Sequence, residues 1–237
     1  MDSIKKTARI AGFFYLLLVA MAPISLMYIP GKLLVWGNAT ATANNILASQ
    51  TLFRIGILSG LVSGVIFIFL VMTLYRLFKV VNQPQAALMV VLAVAQVPIG
   101  FLDELNQMAA LILVRGADFL SVFDKPQRDA LAMLFIHLHG QGIIISEIFW
   151  GLWLFPFGLL VFRSGFLPRI LGVWLIINGS AYVTMSLTGL LLPEYQKMVS
   201  DIALPALLGE MAIMLWLLIM GAKPKPLADL ASEPAGG

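Results

Sequence analysis

Five ionisable side chains, Asp103, Glu104, His139, Glu147 and Glu210, stand inside or at the rim of stretches apolar enough to span a bilayer. A charge in hydrocarbon costs about 2.5–3.5 kcal/mol on the mildest scale, so such residues need partners or a task. Carboxylates and an imidazole at depth suit proton or cation binding, or general acid–base catalysis. More specific chemistries find little support. His137 and His139 diverge on a helix, whereas a zinc helix wants His at i and i+4 with a Glu, so no metal site is assigned. The chain has no cysteine, no HExxH, no nucleophile elbow and no convincing Ser–His spacing. No catalytic residue is assigned and no cofactor is expected.

The elements that must hold these residues follow from composition. Of 237 residues, 60% are hydrophobic and 11% charged, against about 45–50% and about 25% in soluble domains. A soluble fold of this length could not hide that surplus. The long continuous apolar runs exclude a β-barrel, which alternates polar and apolar residues in short segments. The expectation is an all-α polytopic membrane bundle of six transmembrane helices, near 9–29, 53–75, 86–113, 132–162, 169–192 and 202–221. Residues 1–222 would form one six-span membrane domain and 223–237, rich in Pro and Ala, a disordered cytoplasmic tail. Lys5, Lys6 and Arg9 followed by an apolar run and Ala20-Met21-Ala22 resemble a signal peptide. Pro23 directly after that box argues for an uncleaved first span.

The net charge is +3, but the cations sit at span ends, so topology accounts for them and no nucleic-acid partner is expected. Lys5, Lys6, Arg9, Arg76, Lys79, Arg163, Arg169, Lys223 and Lys225 fall on one side. Lys32, Arg54, Arg115, Lys125, Arg128 and Lys197 fall on the other. The bias places both termini in the cytoplasm. The third and fourth helices are overlong, and their apolar ends should pack as a hairpin on the outer side. Asp124 with Gln127 reads as a capping box opening the fourth, and Thr42 reads as a cap before the second span. Pro23, Pro98, Pro156 and Pro205 should kink the spans without breaking them.

At about 1.5 Å per residue, Glu210 lies about 20 Å from Lys223, Glu147 about 24 Å from Arg163, Asp103 about 28 Å from Pro84, Arg54 about 33 Å from Arg76 and His139 about 36 Å from Arg163. The hydrocarbon core is about 30 Å thick. The residues therefore read as a graded polar set around an outward-facing cavity: Arg54, Asp103, Gln107, His139, Gln141, Glu147 and Glu210. Glu147 and Glu210 form its floor and Arg54 the counter-charge above. Asp103 and Gln107 share a helix face, with Gln96 one heptad below. The plainer reading makes Glu147 and Glu210 neutral, hydrogen-bonded packing groups, and places Asp103, Glu104 and His139 in interfacial water.

Gly56, Gly60 and Gly64 form a ridge at four-residue spacing that admits a close neighbour. An internal helix is the favoured occupant, and a homo-oligomer stays open. Arg9-Ile-Ala-Gly12 and Arg169-Ile-Leu-Gly172 echo one another at the start of the first and fifth spans.

The blocks TLFRIGILSGLV (51–62), LYRLFKVVN (74–82), LHGQGIIISEIFWGLWLFPFGLLVFRSGFLPRILG (138–172) and GEMAIMLWLLIMG (209–221) carry a family resemblance. The chain resembles, over about residues 5–221, the bacterial multi-pass membrane family catalogued as domain of unknown function 4386. The resemblance implies the inner membrane of a bacterium and recurring polar positions at Arg54, Gln141, Glu147, Arg163, Arg169 and Glu210. It implies no activity. The leading functional reading is a small transporter or ligand-binding membrane protein, with the lipid bilayer as its partner. The alternatives are a non-catalytic scaffold or sensor acting through helix contacts and, lower, an intramembrane enzyme on a lipid or peptide.

Overall fold

The computed structural model describes residues 2–222; the segment 223–237, with Lys223 and Lys225, lies outside the described residues. Among the described residues there are helices and connections but no strand. Six stretches are long and apolar enough to cross a membrane: Ile4–Leu33, Gln50–Phe78, Gln83–Arg115, Lys125–Arg163, Arg169–Leu191 and Pro193–Ile219. The chain is an all-α multi-pass membrane bundle.

The first span is α1 (Asp2–Pro23), a π-helical turn (Ile24–Tyr28) and α2 (Ile29–Leu33). The wide turn sits between Pro23 and Pro30. Pro30 has no N–H to donate, and Ile29 N reaches back five residues to Ile24 O. A short α3 (Ala39–Ala48) precedes α4 (Gln50–Phe78). The cap of α3 is Asn38, whose Oδ1 accepts from Ala41 N at 2.9 Å. Thr42, expected as a cap, lies inside the helix. It accepts from Val35 N at 2.8 Å and donates to Val35 O at 3.2 Å, pinning the preceding loop.

Span three is α5 (Gln83–Arg115), opened by Asn82 Oδ1 accepting from Gln85 N at 2.9 Å. Gly116, at φ +70°, ends it in the left-handed region that favours glycine. The fourth span opens on the expected capping box: Asp124 Oδ1 accepts from Gln127 N at 2.8 Å, and Gln127 Oε1 accepts from Asp124 N at 3.0 Å. It divides at Trp153 into α6 (Lys125–Leu152) and α7 (Leu154–Arg163). This is the expected kink: Pro156 cannot donate to Leu152 O, but Trp153 keeps helical backbone angles, donates to Phe149 O and accepts from Phe157 N, each at 3.3 Å. Pro98 and Pro205 lie within the unbroken α5 and α9 (Gln196–Ile219). Between α7 and α9 runs α8 (Arg169–Leu191).

Consecutive spans pack on one another, and α9 returns to α1, so the six close into a ring. Two apolar cores fill it. One gathers Tyr15, Leu74, Phe78, Met89, Trp153, Phe157, Leu175 and Ile213 from all six spans. It lies at the end where Arg9, Arg76, Arg163 and Arg169 sit, here termed the basic end. The other, at the far end, joins α2, α3, α4, α5 and α6 through Ile29, Ile46, Phe53, Leu111 and Met133.

The closest backbone contacts fall on glycines outside the α4 ridge. A Cβ on Gly179 would lie 2.8 Å from Gly151 O, and one on Gly151 2.5 Å from Gly179 O. Gly158 and Gly172 are related the same way, so α6 and α7 meet α8 almost backbone to backbone. The α4 ridge receives side chains of its own chain: Ile29 at Gly56, Glu104 at Gly60 and Phe101 at Gly64. The two Arg-Ile-x-Gly segments play similar parts. Arg9 donates to Ile219 O at 3.1 Å, with Gly12 against Leu218. Arg169 lies 5.6 Å from the Phe162 ring centroid, with Gly172 against Phe162. Each seats a helix start on the end of a neighbouring span.

Candidate functional site

Two polar groups occupy the bundle. The upper one is built by α5 and α6, which run antiparallel and bring Asp103 level with His139. Asp103 Oδ2 lies 2.7 Å from His139 Nδ1. The other ring nitrogen, Nε2, lies 3.1 Å from Gln107 Nε2. Gln107 Nε2 also donates to Glu104 Oε2 at 2.9 Å, and Asn106 Nδ2 donates to Asp103 Oδ1 at 3.0 Å. With the amide in this orientation a neutral imidazole accepts from Gln107 at Nε2 and carries its hydrogen on Nδ1, which lies 2.7 Å from Asp103 Oδ2 but makes no aligned hydrogen bond there.

Small residues make room for the group. Gly60 of α4 lies against the Glu104 carboxyl, and Gly142 of α6 lies against that of Asp103. A Cβ at either glycine would collide with the carboxylate. Beside them is a narrow cleft of about 40 Å³, lined by Ser25, Ile29, Pro30, Leu33, Leu34, Phe53, Gly56, Gln107, Ile136 and His139. Its volume suits a water or a small ion. Its wall is largely apolar, and Gln107 and His139 supply the titratable and amide chemistry. The π-helical turn contributes Ser25. Among the described residues no three His, Asp or Glu side chains converge as a metal cage.

The lower group ties four spans together. Tyr15 of α1 donates to Glu210 Oε1 of α9. Tyr182 and Asn178 of α8 reach the same carboxylate. Trp150 of α6, one turn on from Glu147, packs edge-on to the Tyr182 ring at 5.7 Å. Helix direction explains the meeting. Side chains lean toward their helix N-terminus, so Tyr182 leans toward the basic end and Glu210 toward the far end. Glu147 is 7% exposed, and its Oε2 has no hydrogen-bonding partner. Gln96 Nε2 is likewise buried without a partner. The Gln85–Pro156 and Asp103–His139 contacts set a register that puts Gln96 level with the turn carrying Glu147.

Of the residues singled out in the sequence, Asp103, Gln107 and His139 come together, Glu210 meets Tyr15, and Glu147 keeps its buried Oε2 without a hydrogen-bonding partner. Arg54 stands apart. Phe53, Gly56 and Ile57 take the inward face of α4, which turns Arg54 outward. It is exposed, and none of the ion pairs found among the described residues involves it. Gln141 is exposed and belongs to neither group, and His137 lies tilted against Trp36, ring centroids 5.2 Å apart. The sequence reading passed over Tyr15, Asn178 and Tyr182. Their signal was a polar tip placed mid-span, which looks the same as an apolar packing residue until the neighbour is known.

A family model described as domain of unknown function (DUF4386) matches residues 10–221. Over 90 residues the chain is 31% identical to an uncharacterised protein of Archaeoglobus fulgidus. The aligned part is 38% of this chain and 51% of that protein, so it spans about half of the relative. No solved structure matches the chain.

Proposed function

The chain belongs to the DUF4386 family, whose description assigns no activity, and from that premise we propose a small transporter or ligand-binding membrane protein. Its site is the cleft beside Asp103, Glu104, Gln107 and His139, and its ligand is a small cation or cationic solute. One observation carries this reading: Gln107 links the Glu104 carboxyl to the His139 imidazole, whose other nitrogen lies against Asp103, beside a cleft with a largely apolar wall. A group of that net charge inside a span is costly unless it meets a counter-charge, and the cleft gives a cation access to it. The aromatic core of Phe78, Trp153 and Phe157 at the basic end supports access from the far end in this conformation. Cations at the basic end favour the cytoplasm for that face, in the inner membrane of a bacterium.

Proteoliposomes loaded with a pH-sensitive dye test the proposal. Addition of sodium, potassium or ammonium salts should collapse an imposed pH gradient faster than in protein-free vesicles. Asp103→Asn and Glu104→Gln should return the rate to that of protein-free vesicles. Unchanged rates in both variants, with unchanged cation binding by calorimetry, would sink the assignment of this cleft.

A further inference from the structure

The upper group contains one amide nitrogen with two acceptors. Gln107 Nε2 donates one hydrogen to Glu104 Oε2 at 2.9 Å and points the other at His139 Nε2, 3.1 Å away. His139 Nδ1 faces Asp103. The two contacts of the amide are matched when His139 is neutral and Glu104 Oε2 carries no proton.

A proton added to His139 Nε2 would face the Gln107 amino group, donor against donor. Rotation of the amide about Cγ–Cδ would relieve this by exchanging Nε2 for Oε1. That rotation in turn would set Gln107 Oε1 against Glu104 Oε2, acceptor against acceptor, unless Glu104 also gains a proton. With both protons in place the bonds close again. His139 Nε2–H and Glu104 Oε2–H each donate to Gln107 Oε1, which has two lone pairs. A proton on His139 alone leaves one opposed contact, whereas one on Glu104 alone can sit on Oε1 with Oε2 still accepting, so protonation of His139 calls for protonation of Glu104.

We propose that Glu104 and His139 take up protons as a pair, coupled by rotation of the Gln107 amide. Two protons enter, no other bond changes, and the three ionisable groups pass from two net negative charges to none. The charged and titratable groups facing this unit are Asp103 and Glu104 on α5 and His139 on α6; from α4 it meets Gly60 and Gly56, which carry no charge.

The rotation also changes the cleft. Gln107 lines it, and its Oε1 makes none of the bonds described above. The unprotonated unit thus offers a carbonyl oxygen and two negative charges, which suit a cation. The doubly protonated unit offers an amino group and no net charge, which does not. Proton uptake and cation release are the same event. This extension rests on the proposed cleft, but its test does not require transport.

The experiment is a pH titration of the full chain in lipid nanodiscs. His139 is followed by nitrogen NMR of labelled histidine, with His137→Gln as background. Protonated Glu104 is followed by the infrared carbonyl band lost in Glu104→Gln. Paired uptake predicts that the two signals move together, with an apparent Hill slope well above one. It also predicts that Gln107→Met and Glu104→Gln each bring the His139 slope down to one. Separate midpoints, or a slope of one in the background protein, would overturn the pairing without touching the flux test of the cleft. The background titration alone decides the question even where a variant fails to fold.

Discussion

Gly158 and Gly172 each occupy the space where the other would need a side chain. A Cβ on Gly158 would lie 2.7 Å from Gly172 O, and one on Gly172 would lie 2.5 Å from Gly158 O. The obstacle is backbone in both directions, so no rotamer change relieves it. Gly172→Val or Gly158→Val should therefore destabilise the bundle by about 3 kcal/mol, at the upper end of overpacking costs. Gly31→Ala, where nothing lies within 4 Å of the added carbon, is the matched control and should be near neutral. Reversible unfolding in mixed micelles would compare them.

The Asp103–His139 contact of 2.7 Å should appear as a coupling energy. A double-mutant cycle of Asp103→Asn and His139→Gln should give about 1–3 kcal/mol, since the two groups are in contact and partly buried. Additive losses in the same unfolding assay would mean that the pair contributes nothing jointly.

Thr42 holds both main-chain groups of Val35. Thr42→Val keeps the shape and removes both bonds, and should cost about 1–2 kcal/mol. Asn38→Ala removes the α3 cap and should cost about 1 kcal/mol. If Thr42 were the cap, Asn38→Ala would be near neutral.

Tyr15 donates to Glu210 and anchors α1 to α9 at the seam where the ring closes. Tyr15→Phe should cost about 1–3 kcal/mol, because it strips a buried donor from a charged or polar acceptor. The loss should exceed that of Tyr28→Phe, whose side chain is exposed. Amide exchange should rise first in the turns of α1 and α9 around the seam.

Gly60→Leu separates two roles for the α4 ridge. The added side chain would displace the Glu104 carboxyl and should abolish cation responses while the monomer stays intact in size-exclusion runs. Loss of a larger assembly instead would assign the ridge to contacts between copies.

The element pattern was legible because apolar length and capping chemistry are local. Asp124 and Gln127 announced the start of the fourth span, and the structure forms both bonds. Azimuth was not legible. Counting along the helix sets Arg54 above Glu147 and Glu210, but Phe53, Gly56 and Ile57 claim the inward face and turn it away. The glycine signal failed for a related reason. Regular spacing on α4 drew attention, while the reciprocal pairs Gly151–Gly179 and Gly158–Gly172 are regular only when two helices are read together. Glu210 meets Tyr15 across the α1–α9 seam, a relation that no single segment contains.

The far-end core ends at Ile136, while the basic-end core needs residues from Ala8 to Ala222. Chains are made from the N-terminus, and units that can close early do so. A growing chain thus holds every residue of its far-end core, and of the Asp103–His139 pair, before α8 exists. The first helix must wait through the whole of synthesis for α9, its partner at the seam. Assembly of the cleft precedes closure of the ring.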